Sequence, residues 1–231
     1  MARMRALRSK TRDILAAADW ESRLSELLVL PAKTVLGPLF GALLDKEELV
    51  RWHAVTAFGV VVPPMADARM EDGRILMRRL MWNLNEESGN IGWGIPETFG
   101  EILACHEGLA LEFHRILISY IQENACSSNY IDHCPLRQCA YWGIGRLAQA
   151  RPELARHGQR DVIDGLQNDD AVTRGLCAWT VSLLGPVEDP DARGYLDALC
   201  NDQNAVRLYR NRCLEDTTVA QLAQEALKAI S

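Results

Sequence analysis

Apolar residues recur along most of this chain at the spacing of a helix face rather than that of a strand. Met4, Leu7, Thr11, Ile14, Leu15 and Ala18 share one side at a period of 3.6, which predicts a first helix docked on the segment after it. The same period predicts helices over 32–44, 68–84, 108–123, 159–166 and 192–199. Alternation at period 2 is rare and brief, so no array of strands is expected. Polar clusters punctuate the helices: Asp45, the run 85–90, Asn168-Asp169-Asp170, and Asn201-Asp202, which is expected to introduce the last helical stretch. Side-chain oxygens of such residues accept from the orphan N–H groups at helix starts.

Between these helices lies a second set that repeats. Val50-Arg51-Trp52-His53-Ala54-Val55-Thr56-Ala57-Phe58-Gly59 aligns without a gap on Ile91-Gly92-Trp93-Gly94-Ile95-Pro96-Glu97-Thr98-Phe99-Gly100 and on Leu136-Arg137-Gln138-Cys139-Ala140-Tyr141-Trp142-Gly143-Ile144-Gly145. Weaker copies begin at Thr173 and Val219, so the starts at 50, 91, 136, 173 and 219 are spaced by 41, 45, 37 and 46 residues. Offsets of four, seven and eight within each copy form one helical face. Small residues on that face, Ala54 and Ala57 or Ala140 and Gly143, let a neighbouring helix approach closely. The pattern predicts an all-α fold, antiparallel helix pairs stacked as a right-handed α-solenoid of about five pairs.

This pattern resembles the HEAT repeat, in particular the short bacterial form called the phycobilisome-lyase HEAT-like repeat. The resemblance spans residues 32–230. The stretches Met77-Arg78-Arg79-Leu80-Met81-Trp82-Asn83-Leu84-Asn85-Glu86-Glu87-Ser88-Gly89 and Ile91-Gly92-Trp93-Gly94-Ile95-Pro96-Glu97 are also similar to a bacterial HEAT-repeat family that sometimes carries a lyase label. It implies capping helices over 1–31 and a repeat array over 32–231, forming one domain together. The lyase label belongs to relatives acting on bilins, and repeat folds host many roles.

Composition narrows the partners. The chain has 25 basic and 31 acidic residues, but Arg3, Arg5, Arg8, Lys10 and Arg12 precede the first acid, Asp13. The remainder therefore holds 20 basic against 31 acidic residues, which disfavours nucleic acid as a partner. Apolar runs are broken short of the roughly 20 residues a bilayer core needs, so no membrane span is expected. Seven cysteines, at 105, 126, 134, 139, 177, 200 and 213, include no CxxC pair. They read as reduced thiols of a cytoplasmic protein, and neither a metal nor another cofactor is expected.

Candidate chemistry gathers in the irregular second copy, 82–101. Gly89, Gly92 and Gly94 weaken a helix and Pro96 suits a first turn, so the helix should start late, near Ile95, after a loop of about ten residues. Glu97 and Glu101 share one helical face near a positive dipole end. With Glu86 or Glu87, Trp93, Trp52 and His53 they form the candidate site on the inner surface, as a binding site or an acid/base pair. Arg78, beside Arg79 and ahead of Trp82, is an anion-binding candidate. Arg51, Arg137 and Arg174 recur at one position, where a ladder of ion pairs to turn acids of adjacent repeats is expected, interrupted at Gly92.

The reading preferred from these features is a non-enzymatic scaffold whose concave face binds a partner protein. A ligand-binding enzyme of the bilin-lyase type, with its site in 82–101, is the alternative. A HEAT-like DNA glycosylase is a third, disfavoured by the acidic charge.

Overall fold

The structure, a computed structural model, describes residues 2–84, 92–123, 129–187 and 189–230. The chain divides into two compact units, Met1–Leu109 and Ala110–Ser231. In the first, α1 (Ala2–Ala16) and the single turns α2 (Trp20–Arg23) and α3 (Ser25–Leu28) precede two helix pairs. These are α4 (Ala32–Ala42) with α5 (Glu48–Ala68), and α6 (Met70–Leu84) with α7 (Ile95–Cys105). The α5 helix packs on α4, α6 and α7, and α1 lies against α4 and α5. Only the C-terminal half of the predicted α1 face is used: Thr11, Ile14 and Leu15 are buried, Leu7 is half-buried, and Met4 and Ala18 are exposed. By length and composition α5 could cross a membrane, contrary to the expectation from broken runs, and the greater part of its apolar stretch is buried within the unit.

Helix α8 (Glu107–Ser119) runs from the first unit into the second. There follow α9 (Cys134–Ala150), the turns α10 (Pro152–Ala155) and Arg156–Gly158, then α11 (Gln159–Asp164) with a 3₁₀ turn at Gly165–Gln167. Next come α12 (Ala171–Leu184), α13 (Pro190–Leu199), β1 (Ala205–Arg210), β2 (Cys213–Thr218) and α14 (Val219–Ala229). The second helix of each pair stacks on the next, α9 on α12 and α12 on α14. Close approach explains the small residues here. A Cβ on Gly145 would collide with the Trp179 ring and lie 2.9 Å from Thr180 Oγ1, and Trp142 and Trp179 are both buried.

One expected helical stretch is a hairpin instead. The strands β1 and β2 pair antiparallel from Ala205↔Thr218 to Arg210↔Cys213. Both residues of the turn are left-handed, Asn211 at φ 52° and Arg212 at φ 63°, which matches the twist of a two-residue hairpin turn. Val206, Leu208 and Tyr209 are buried. Val206 fills the space over Gly175 of α12, where a Cβ would come within 2.7 Å of its methyl. The Trp142 indole N–H donates to the Tyr209 carbonyl at 2.7 Å. The hairpin thus sits inside the connection of the last helix pair, α13 to α14.

What recurs is a clasp on each helix start. Arg51 Nη1 donates to the carbonyls of Asp45 and Lys46 at 2.9 and 3.4 Å. Arg137 does so to Ile131 and Asp132 at 2.7 and 3.0 Å, and Arg174 to Asn168 and Asp169 at 2.8 and 2.9 Å. Each arginine stands four residues after its N-cap, Glu47, His133 or Asp170. The repeated contact is therefore to the carbonyls of the arginine's own incoming turn, not the expected ladder of ion pairs. Links between repeats run through turn aspartates gripped from an earlier helix. Arg12 holds Asp45 at 2.7 Å, Gln138 holds Asp170 at 2.8 Å, and Arg174 Nε holds Asp202 at 3.0 Å.

Candidate functional site

The second repeat departs from this clasp. Its N-cap is Gly94, at φ +75°, where a Cβ would also press within 3.1 Å of Leu43. The helix begins at Ile95, with Pro96 in its first turn. Counted from the N-cap, the arginine position falls on Thr98, whose hydroxyl donates to the Gly94 carbonyl at 2.7 Å. A short hydroxyl reaches only the N-cap carbonyl of its own turn, where the clasp arginines reach carbonyls five and six residues back. Glu86, one of the candidate residues, lies outside the described residues, as does the rest of 85–91.

Every residue of α7 from Ile95 to Ala104 is buried, the two glutamates included. Glu97 is 8% exposed and Glu101 6%. Glu101 turns to α5 at Gly59, where an added Cβ would lie 2.6 Å from Glu101 Oε1 and 2.9 Å from Cys105 Sγ. The Cys105 thiol donates to Glu101 Oε1 at 3.3 Å. Glu101 is thus part of the α5–α7 packing seam, made possible by a residue without a side chain on the facing helix.

The remaining candidates separate by environment. His53 is 7% exposed, stacks on Trp20 with ring centroids 3.7 Å apart and planes 8° from parallel, and places Nδ1 2.6 Å from the Leu15 carbonyl. A carbonyl only accepts, so Nδ1 carries the proton. Burial lowers the His53 pKa, opposed by that hydrogen bond. His53 therefore pins the α1–α2 connection to α5. Trp52 is half-buried. Arg78 is exposed and pairs with Glu71 at 2.6 Å. Trp82 and Trp93 lie at the surface, 64% and 39% exposed. His106 and His133 serve their helices as N-caps, each ring Nδ1 accepting a backbone N–H, from Leu109 at 3.0 Å and from Leu136 at 3.3 Å. Among the described residues no group of three or more His, Cys, Asp or Glu is placed to hold a metal ion, and the six described cysteines are free thiols.

The sequence reading passed over a groove of about 550 Å³ in the first unit, between α1, α4 and α6. Pro38, Phe40 and Leu44 give it an apolar floor, and Arg8, Arg12 and Arg79 line it. The Arg79 guanidinium lies over the Phe40 ring, 4.2 Å from its centroid. Hydrogen bonds to Asp45 and Glu47 keep Arg12 firmly protonated. Burial pushes the Asp45 carboxyl up, but the Arg12 guanidinium and the Glu47 N–H outweigh it, leaving Asp45 below its ordinary value. The available signal was the basic first helix together with the Gly37-Pro38-Leu39-Phe40-Gly41 run, two features 25 or more residues apart that only folding unites.

A model of the HEAT-like repeat matches residues 135–184. The match covers α9 to α12. No curated protein matches the chain in sequence. Among solved structures, an engineered protein is 15% identical with a TM-score of 0.51, covering 96% of each chain. A designed armadillo repeat protein in complex with the peptide (KR)4 is 14% identical with a TM-score of 0.51, covering 96% of this chain and 98% of that one. Computationally designed armadillo repeat proteins for modular peptide recognition give 14% identity and a TM-score of 0.50, covering 96% and 99%. At these identities the likeness is one of fold, and the fold is an all-α repeat solenoid of the HEAT/armadillo class.

Proposed function

We propose that this chain is a non-enzymatic binding module, cytoplasmic, that holds a segment of a partner protein on the concave face of its repeats. The observation that carries this reading is where large apolar side chains meet solvent. In the first unit Leu44, Leu49, Ile75, Trp82 and Trp93 are exposed, along with Met4, Leu28 and Val29. Leu111 is the one such residue among the described residues of the second. Scattered apolar exposure is ordinary, whereas its concentration in one region is what interaction surfaces display. That one designed relative by fold holds a peptide, and others are described as made for peptide recognition, supports the same reading. Within the HEAT class we assign the repeat to the short phycobilisome-lyase form, on the Trp- and Gly-containing stretches around 82 and 93, and take no lyase activity from that.

Selection of displayed random peptides against the full chain tests the proposal. Recovered peptides should lose at least ~10-fold in affinity with Trp82→Ser or Trp93→Ser, a loss of ~1.4 kcal/mol, and keep it with Leu111→Ser. Recovery of no peptide above an unrelated helical control, or of peptides indifferent to both tryptophans, would overturn it.

A further inference from the structure

The groove between α1, α4 and α6 has a chemistry of its own. Its apolar floor is open: a Cβ built on Gly37 or Gly41 of α4 meets no atom within 4 Å, so a ligand can settle against the helix itself. Its charge is one-sided, with three arginines against one carboxylate, Asp45. Arg12 answers that carboxylate, and among the described residues neither Arg8 nor Arg79 pairs with an acid. Arg79 is held over the face of Phe40, which restrains the guanidinium while the side chain stays exposed. An unanswered positive charge over an apolar floor, in a chain with net charge −6, is a local inversion of the molecule's character.

We infer that this groove takes an acidic peptide segment of a partner protein, which buries one large apolar side chain on Phe40 and Leu44 while Arg8 and Arg79 hold its carboxylates. The inference rests on the binding-module reading and names its ligand class. Planar guanidinium groups match carboxylates in bidentate geometry, and the apolar contact supplies what an exposed ion pair alone does not. A basic segment is turned away by the arginines. A wholly polar acidic segment leaves the floor empty and binds weakly.

The test uses the full chain and three fluorescent peptides: carboxylates flanking one phenylalanine, the same with serine for phenylalanine, and the lysine counterpart of the first. The first should bind, weaken with salt, and lose ~10-fold or more in affinity with Arg8→Glu or Arg79→Glu. The double variant, with a cooperative urea unfolding transition showing it folded, should instead bind the lysine peptide in preference to the first. Equal binding of all three peptides, indifference to both substitutions, or occupation of the groove by a second copy, seen as a dimer that Arg79→Glu dissolves, would overturn the inference. Selected peptides that depend on Trp82 but ignore Arg8 and Arg79 would sink the groove and leave the module reading standing. Loss of the tryptophan dependence with the arginine dependence intact would do the reverse.

Discussion

The two units build with the same helix pair and differ in how tightly they close it. In the second, Gln138 and Arg174 each reach the turn aspartate of the next repeat, Gly145 admits the Trp179 ring, and Val206 is fitted over Gly175. In the first, the clasp arginine is replaced by Thr98 on α7, the helix starts late, and glycines on α4 face open space. The consequence is visible in what each shows to water, since the first unit carries nearly all the exposed large apolar side chains described above. Regular stacking uses up apolar surface on neighbours; where the repeat pattern slips, surface is left over for something else.

Glycine substitutions should break this contrast most sharply if it is wrong. Gly145→Val forces a branched side chain into the Trp179 ring and should destabilise the chain by about 3 kcal/mol or more in urea unfolding. Gly41→Ala, on a helix with free space, should instead gain about 0.5 kcal/mol. Next in size are the clasps. Arg174→Ala removes two carbonyl contacts and a half-buried ion pair and should cost about 2–3 kcal/mol, against about 1 kcal/mol for Arg51→Ala, whose partners are carbonyls. Equal losses would mean that the link to the next repeat adds nothing.

A smaller effect depends on pH. Because burial lowers the His53 pKa, the unfolded chain binds its proton more tightly than the folded one. Its contribution is complete above the ordinary histidine value of about 6.5 and is lost as pH falls from there towards the lowered folded value, with a slope of at most ~1.4 kcal/mol per pH unit. His114 of the second unit is shifted the same way by burial, so global unfolding mixes the two. Amide protection over residues 14–20, taken relative to the intrinsic exchange rate at each pH, isolates the first: it should fall below about pH 6 in the native chain and lose that dependence in His53→Gln. Smallest of all, Trp82→Ser should change stability by less than about 0.5 kcal/mol while weakening peptide binding ~10-fold or more, because its ring is spent on solvent and not on the core.

The helices were legible because their period is local: the expected spans 32–44, 68–84 and 159–166 lie within a few residues of α4, α6 and α11 with its 3₁₀ turn. The late start at Ile95 was legible as well, since Pro96 and the glycines before it act on their own backbone. The hairpin was hidden by brevity, with the alternation of Val206 and Leu208 lasting too short a run and Asn211 giving its only turn signal. The burial of Glu101 was hidden for another reason. Its room is made by Gly59, 42 positions earlier, and a carboxylate's spacing says nothing about the absence of a side chain on a helix it has yet to meet. The clasps show the same gap, because a sequence displays the arginine's charge but not the backbone oxygen it seeks.

That choice of acceptor bears on how such a chain changes over generations. An arginine bound to oxygens five and six residues behind it travels with its own turn, so a duplicated or transplanted segment arrives with its helix start already secured. The aspartate grip is different, since whichever helix comes before must offer a donor of the right reach, as Arg12, Gln138 and Arg174 do with unlike side chains. Copy number in such an array can therefore drift with one junction to repair at each step, and the junctions, not the repeats, keep the record of where units were joined.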